Sequence, residues 1–226
     1  MPASFHIDDR QVIRACALDG LHWLQHGFGT RQSDHWPPDG RVIAARQVHS
    51  DRVLIANGDS AGLIGEGDAL ITSQPGTLVA IRTADCLPIL IADPGQRVVA
   101  AIHAGWRGTI ANISSDAIEI LASQFGSHRA DLIVVIGPGI GECCFEVGPE
   151  VASQFGTIFP ERNDLEGRAN IHLASANLRQ LAKAGVPAQQ ITVVEECTCC
   201  GSERYHSFRR DREASGRMLS AIGIVA

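Results

Sequence analysis

A series of short apolar runs, each closed off by glycine, proline or a polar residue, constrains this chain more than any other feature. Residues 77–81, 87–92 and 97–101 are too short for helices and fit a sheet core, and 131–136 is a further buried-strand candidate that ends at the breakers Gly137, Pro138, Gly139 and Gly141. Residues 41–56 alternate as two strand-like runs with His49 at the turn between them. The stretch 31–40 before them is a loop by its Pro37-Pro38 pair and polar neighbours. Over 109–125, Ile110, Ile113, Ala117, Ile120 and Leu121 recur at helical spacing, so the preceding strand runs through a glycine-bounded turn into a helix. A second helix is expected over 172–184, stopped by Gly185 and Pro187. The tail from Ile191 mixes a short strand, a cysteine loop and a terminal apolar segment from Glu213 that the pattern does not place. Strands and helices interleave without strict alternation. That predicts an α/β fold of the mixed α+β kind, a mixed β-sheet core flanked by helices, in preference to a doubly wound Rossmann sheet. With no repeat, linker or low-complexity tract, residues 1–226 read as one domain.

Composition narrows the function. At 226 residues and 45% hydrophobic, the chain can bury a self-sufficient core. A net charge of -6 and a pI near 5.8 argue against a nucleic-acid partner and leave small-molecule chemistry as the default. No apolar run approaches the roughly 18 residues of a membrane span, and Met1 to Arg10 lacks the basic-then-apolar order of a secretory leader. We therefore expect a cytoplasmic soluble protein, without a membrane partner, whose seven cysteines stay reduced. Cys143-Cys144 and Cys199-Cys200, with Cys197, form adjacent pairs that suit one metal tetrahedron poorly, and they read as buried free thiols.

Among the histidines, His6, His22, His26, His35 and His128 lie in polar or terminal contexts and read as surface imidazoles. His49, Cys86 and His103 differ, each falling at the end of a strand-like run, where a rigid scaffold presents reactive groups. Two imidazoles and a thiolate make a chemically sensible three-ligand zinc site with its fourth position open, although their wide spacing is not that of a zinc finger. The same residues suit a Cys–His hydrolase with Cys86 as a nucleophile activated by His103 or His49 and no obligatory metal. Copper is disfavoured, because a blue-copper centre alone consumes two His and one Cys and a trinuclear cluster would demand several more imidazoles. The Gly137-Pro138-Gly139-Ile140-Gly141 loop fails as a dinucleotide fingerprint, since Glu142 stands where the third glycine belongs.

Several segments taken together carry a resemblance. They are Arg46-Gln47-Val48-His49, Gly67-Asp68-Ala69-Leu70, Thr83-Ala84-Asp85-Cys86-Leu87-Pro88, His103-Ala104-Gly105-Trp106-Arg107-Gly108-Thr109, Ile136-Gly137-Pro138 with Cys143-Cys144-Phe145-Glu146-Val147-Gly148, and Cys197-Thr198 followed by Ser207-Phe208-Arg209-Arg210-Asp211. In this order they resemble the hallmark motifs of the YfiH/laccase-domain family, also called polyphenol oxidase or DUF152. The resemblance implies a YfiH-like fold and a zinc ion on His49, Cys86 and His103. It implies phosphorolysis of adenosine, inosine and methylthioadenosine, with adenosine deaminase activity alongside, and so a purine nucleoside and inorganic phosphate as partners. It also implies the alternative of an amidase acting on a peptidoglycan precursor.

Phosphorolysis needs a site for an anionic nucleophile. Arg107, between Gly105 and Gly108 at the entry to a helix, is the first candidate, an Arg that bridges the fold being the other reading. Arg31, in His26-Gly27-Phe28-Gly29-Thr30-Arg31, resembles an N-terminal family motif and is the second, although the chain then reaches Gln47 through a shorter segment than many members have. Arg46 is a third, placed opposite His49 if the strand is regular. For deamination, Asp85 beside Cys86 is the first candidate proton shuttle and Asp68 the second. Either carboxylate could instead accept an N–H from His49 or His103 and fix its tautomer. A module that binds nucleosides without turnover is the non-enzymatic alternative.

Overall fold

The computed structural model describes residues 4–33, 35–38, 40–57 and 61–226; Asp34 and Asp39, within the loop expected over 31–40, lie outside the described residues. Two mixed sheets lie face to face, and helices cover the outer face of the second. The first sheet runs Phe5–Ile7, Val12–Ala15, Leu24–Gly29, Met218–Ile224, Thr77–Thr83, Arg41–Arg46, Gly62–Glu66. Its ladders are antiparallel except those of Arg41–Arg46, which lies parallel to both neighbours. The second runs Ile191–Val193, Ile133–Ile136, Leu87–Asp93, Val98–Ala104, Ala69–Thr72, Val53–Ile55, antiparallel at its centre and parallel at both edges.

Strand alternation sorts the apolar side chains into layers. Val79 and Ile81 of the first sheet meet Leu90, Ala92, Val99 and Ala101 of the second, with Phe28 and Ile222, in the core between them. Leu78 and Ala80 point the other way, under Trp36. On the far face of the second sheet, Ile89, Ile91, Ala100 and Ile102 pack against Ile113, Ala117 and Leu121 of the helix Ile113–Phe125 and against Leu173, Ala176 and Leu181 of the helix Leu173–Lys183. Covered on both faces, Leu87–Asp93 and Val98–Ala104 have no polar side to show, which is why they read as continuous apolar runs.

Three expectations change. The helix expected over 109–125 is two, Trp106–Ile110 and Ile113–Phe125, because Asn112 between them adopts φ 65°. Its side-chain oxygen is held by Gln180 Nε2 at 2.9 Å, and Asn tolerates this left-handed geometry better than most residues. The unplaced terminal segment contains Met218–Ile224, which sits inside the first sheet between Leu24–Gly29 and Thr77–Thr83. Of the five histidines read as surface imidazoles, His26 is buried: its Nε2 accepts the Ala15 N–H at 2.9 Å. The expected helix over 172–184 forms as Leu173–Lys183, capped by His172 Nδ1 accepting the Ser175 N–H at 3.0 Å. No helix among the described residues is long and apolar enough to cross a membrane.

The topology gathers a site at one end of the two sheets. Arg41–Arg46, Gly62–Glu66 and Thr77–Thr83 are mutually parallel in the first sheet, and the strand after each lies in the second. The chain therefore crosses between sheets three times at the same end. His49 lies on the first crossing, Asp68 on the second and Asp85-Cys86 on the third. His103, whose register partner is Pro88, arrives at that end within the strand Val98–Ala104.

Candidate active site

His49, Cys86 and His103 each offer a ligand atom, and these atoms lie within 4.8 Å of one another. The two imidazoles meet edge to face, ring centroids 4.9 Å apart. Close approach depends on Gly105, where a Cβ would stand 2.8 Å from Cys86 Sγ. Burial alone would raise the Cys86 thiol, but the neighbouring imidazoles of His103 and His49 outweigh it and bring it down to about 6. Burial likewise disfavours charge on His103, and the hydrogen bonds with Asp68 and Cys86 override it, lifting the imidazole to about 9.

Asp68, 1% exposed, organises this group. Its Oδ1 lies 2.8 Å from His103 Nδ1. A carboxylate can only accept there, so we assign a proton to Nδ1, and Nε2 is the nitrogen that would bind a metal on giving up its own proton. The same carboxylate accepts the backbone N–H groups of Val48, His49 and Ser50 and the Ser50 hydroxyl, at 2.7 to 3.2 Å. These bonds brace the turn in which His49 takes φ 60°. Burial would push the Asp68 carboxyl up; the donors of His103 and Ser50 hold it down to about 2. Asp85, also left-handed at φ 83°, has both oxygens occupied: Oδ1 accepts from Thr198 Oγ1 at 2.7 Å and Oδ2 from the Arg209 N–H at 2.6 Å.

The group opens into a cleft of about 1090 Å³, whose apolar walls include Trp106, Ile140, Phe145 and Phe208. Arg46 and Arg107 line it, Arg107 stacked over Trp106 at 4.2 Å. Arg46 and His49 reach the same cleft because the strand is not regular: the ladder slips between Ala44 and Arg46, and His49 lies past the strand end. Arg46 is also paired with Glu66 at 3.0 Å. Arg31 is not brought there; its Nη1 donates to the Ser202 carbonyl at 2.7 Å and it does not line the cleft. Arg82, Arg209, Arg212 and Arg217 do line it, although sequence reasoning assigned them no role. For Arg209 a signal existed in the Ser207-to-Asp211 motif. For Arg212 and Arg217 there was none, since their place depends on the strand Met218–Ile224, in a segment the sequence left unplaced.

The cysteine loop also departs from expectation. Cys143, Cys144, Cys197 and Cys200 converge, with Cys199 left out, so Cys197 replaces it and only one adjacent pair, Cys143-Cys144, remains in the group. None of the four is buried.

Two stacked mixed sheets with a His–Cys–His group at the crossing end define a protein class, and the comparisons give it a family. A family model described as multi-copper polyphenol oxidoreductase laccase matches residues 30–225, and the chain belongs to that family. A protein of Bacteroides thetaiotaomicron named purine nucleoside phosphorylase is 41% identical over 70% of this chain, which spans 60% of that relative's length. One of the same name from Deinococcus radiodurans is 39% identical, with 98% of this chain and 83% of the relative covered. Adenosine deaminase RL5, from an unknown prokaryotic organism, is 35% identical over 80% of this chain and 74% of its own length. The crystal structure of YlmD from Geobacillus stearothermophilus superposes with a TM-score of 0.89 at 28% identity, covering 100% of both chains.

Proposed function

We propose that this chain is a cytoplasmic, single-domain enzyme that cleaves purine nucleosides by phosphorolysis, adenosine, inosine and methylthioadenosine among them, and deaminates adenosine at the same centre. The observation that carries the reading is the joining, in one cleft, of a His–Cys–His group to an arginine-rich wall and aromatic surfaces. The names of the relatives point the same way. His49, Cys86 and His103 fit zinc: nitrogen and sulfur donors, converging, with the tautomer of His103 fixed by Asp68. When bound, zinc would supply Lewis-acid polarisation of a substrate oxygen or water.

The residues of the chain account for the rest. Arg107 and Arg82 would hold phosphate, placing its charge where the ribose becomes positive in the transition state. Trp106, Phe145 and Phe208 offer flat apolar surface to the purine. Asp68 is a positioning residue, holding His103 and the His49 turn. Asp85, with both oxygens taken, acts by fastening Thr198 and Arg209 to the Cys86 crossing rather than by carrying a proton.

A lowered Cys86 thiol also suits a nucleophile, and this favours one rival, the Cys–His hydrolase. Both are tested on one variant. With inosine and phosphate the protein should release hypoxanthine only when phosphate is present. Cys86→Ser should lose one equivalent of bound zinc and turnover together; unchanged zinc content with turnover abolished would instead establish the nucleophile.

A further inference from the structure

A second cluster, of four cysteine sulfurs and no imidazole, lies outside the His49–Cys86–His103 group. Sγ to Sγ separations are 3.4 Å for Cys144 and Cys200, 3.7 Å for Cys143 and Cys200 and 3.8 Å for Cys143 and Cys144. Four thiolates bonded to one zinc at about 2.3 Å stand roughly 3.8 Å apart along the edges of a tetrahedron. We propose that Cys143, Cys144, Cys197 and Cys200 hold a structural zinc ion that fastens one wall of the cleft.

Independent features of the surroundings fit that ion. Cys197 and Cys200 have the Cys-x-x-Cys spacing usual for a zinc-binding pair. The Gly141 N–H donates to Cys197 Sγ at 3.1 Å, a bond that stabilises a thiolate. Gly141 itself leaves room for the sulfurs, since a Cβ there would stand 3.2 Å from Cys143 Sγ and 3.3 Å from Cys197 Sγ. Four thiolates on a divalent ion carry net negative charge, and two guanidinium groups are held beside the loops that supply them. Arg209 Nη1 donates to the Cys144 carbonyl at 3.1 Å, and Arg210 Nη1 to the carbonyls of Thr198 and Cys199 at 3.0 Å. Cys143 and Cys200 are exposed, which gives the ion a path in.

The consequence of such a site is mechanical. The two loops it would join are already stitched by the Thr198 N–H to the Gly139 carbonyl at 2.9 Å. One loop carries Ile140 and Phe145, and the other leads to Phe208 and Arg209; all four line the cleft. An ion between the loops would set the spacing of that wall without touching substrate.

The test counts zinc rather than turnover. Full-length protein, reduced and saturated with zinc and then freed of unbound metal, is analysed for metal content. The Cys86→Ser variant should keep one tightly bound zinc, and Cys143→Ser with Cys200→Ser should lower wild-type content by one equivalent. Cobalt loaded into the Cys86→Ser variant should show sulfur-to-metal charge transfer of four-thiolate intensity. As a check that needs no variant at the cluster, removing zinc from the Cys86→Ser protein should expose four slowly reacting thiols to a thiol reagent. A Cys86→Ser protein without bound metal would overturn the proposal, as would an undiminished zinc content in the double variant, iron in place of zinc, or a disulfide within the cluster under reducing conditions. Each outcome is independent of whether the enzyme cleaves nucleosides.

Discussion

Asp68 shows how much one buried carboxylate can organise. It receives three backbone N–H groups, a hydroxyl and an imidazole, so it shapes the His49 turn and orients His103 at once. Replacing it with Asn keeps the size but removes the charge that matches these donors. Asp68→Asn should weaken zinc binding by about 10–100-fold, read by competition with a chromophoric chelator; unchanged affinity would remove Asp68 from its positioning role. His26 makes a different prediction. Burial, then the charges of Arg14 and His6, hold its imidazole down to about 4, below its ordinary 6.5. Between those values the unfolded chain binds a proton that the folded chain refuses. Its contribution to stability is therefore complete above about pH 6.5 and is lost as pH falls toward 4, at up to about 1.4 kcal/mol per pH unit. Urea unfolding at pH 7 and pH 5 should show that loss in the native protein and a smaller one in His26→Gln.

At the scale of elements, the helix break is the clearest structural decision. Asn112 stands in the left-handed region with Gln180 on its side chain, and Ile113–Phe125 then starts afresh with Ile113, Ala117 and Leu121 turned to the sheet. Asn112→Ala should cost about 1–2 kcal/mol in chemical denaturation, and Asn112→Gly less, because glycine keeps the backbone geometry. This break was not legible, since Ile110 and Ile113 keep helical spacing across it. The strands covered on both faces were legible, because burial from two sides leaves one long apolar run. Met218–Ile224 was not: Ser220 is buried, and Gly223 is demanded by the Thr77 carbonyl, 2.3 Å from where a Cβ would be, so neighbours in space dictate its composition. The same split runs through the site. His49, Cys86 and His103 lie at strand ends and could be picked out, with the family resemblance strengthening the choice. Arg212 and Arg217 needed the fold.

Across the whole molecule, a net charge of -6 coexists with a cleft lined by Arg46, Arg82, Arg107, Arg209, Arg212 and Arg217. Bulk charge speaks to nonspecific partners, whereas the local field decides what enters the cleft. On the phosphorolysis proposed above, the KM for phosphate should rise with ionic strength, since salt screens these charges over about 10 Å at 0.1 M. Arg107→Ala should raise it further while leaving the melting temperature nearly unchanged; a phosphate KM untouched by that substitution would place the anion elsewhere. The sheet order has a last consequence, in time rather than space. Met218–Ile224 lies between Leu24–Gly29 and Thr77–Thr83, partners far from it in sequence, so the first sheet closes only after long loops have lost their freedom. On dilution from denaturant the helices should form early, while the arginine wall that leads into this strand arrives with the slowest phase, and catalytic competence should trail the regain of secondary structure.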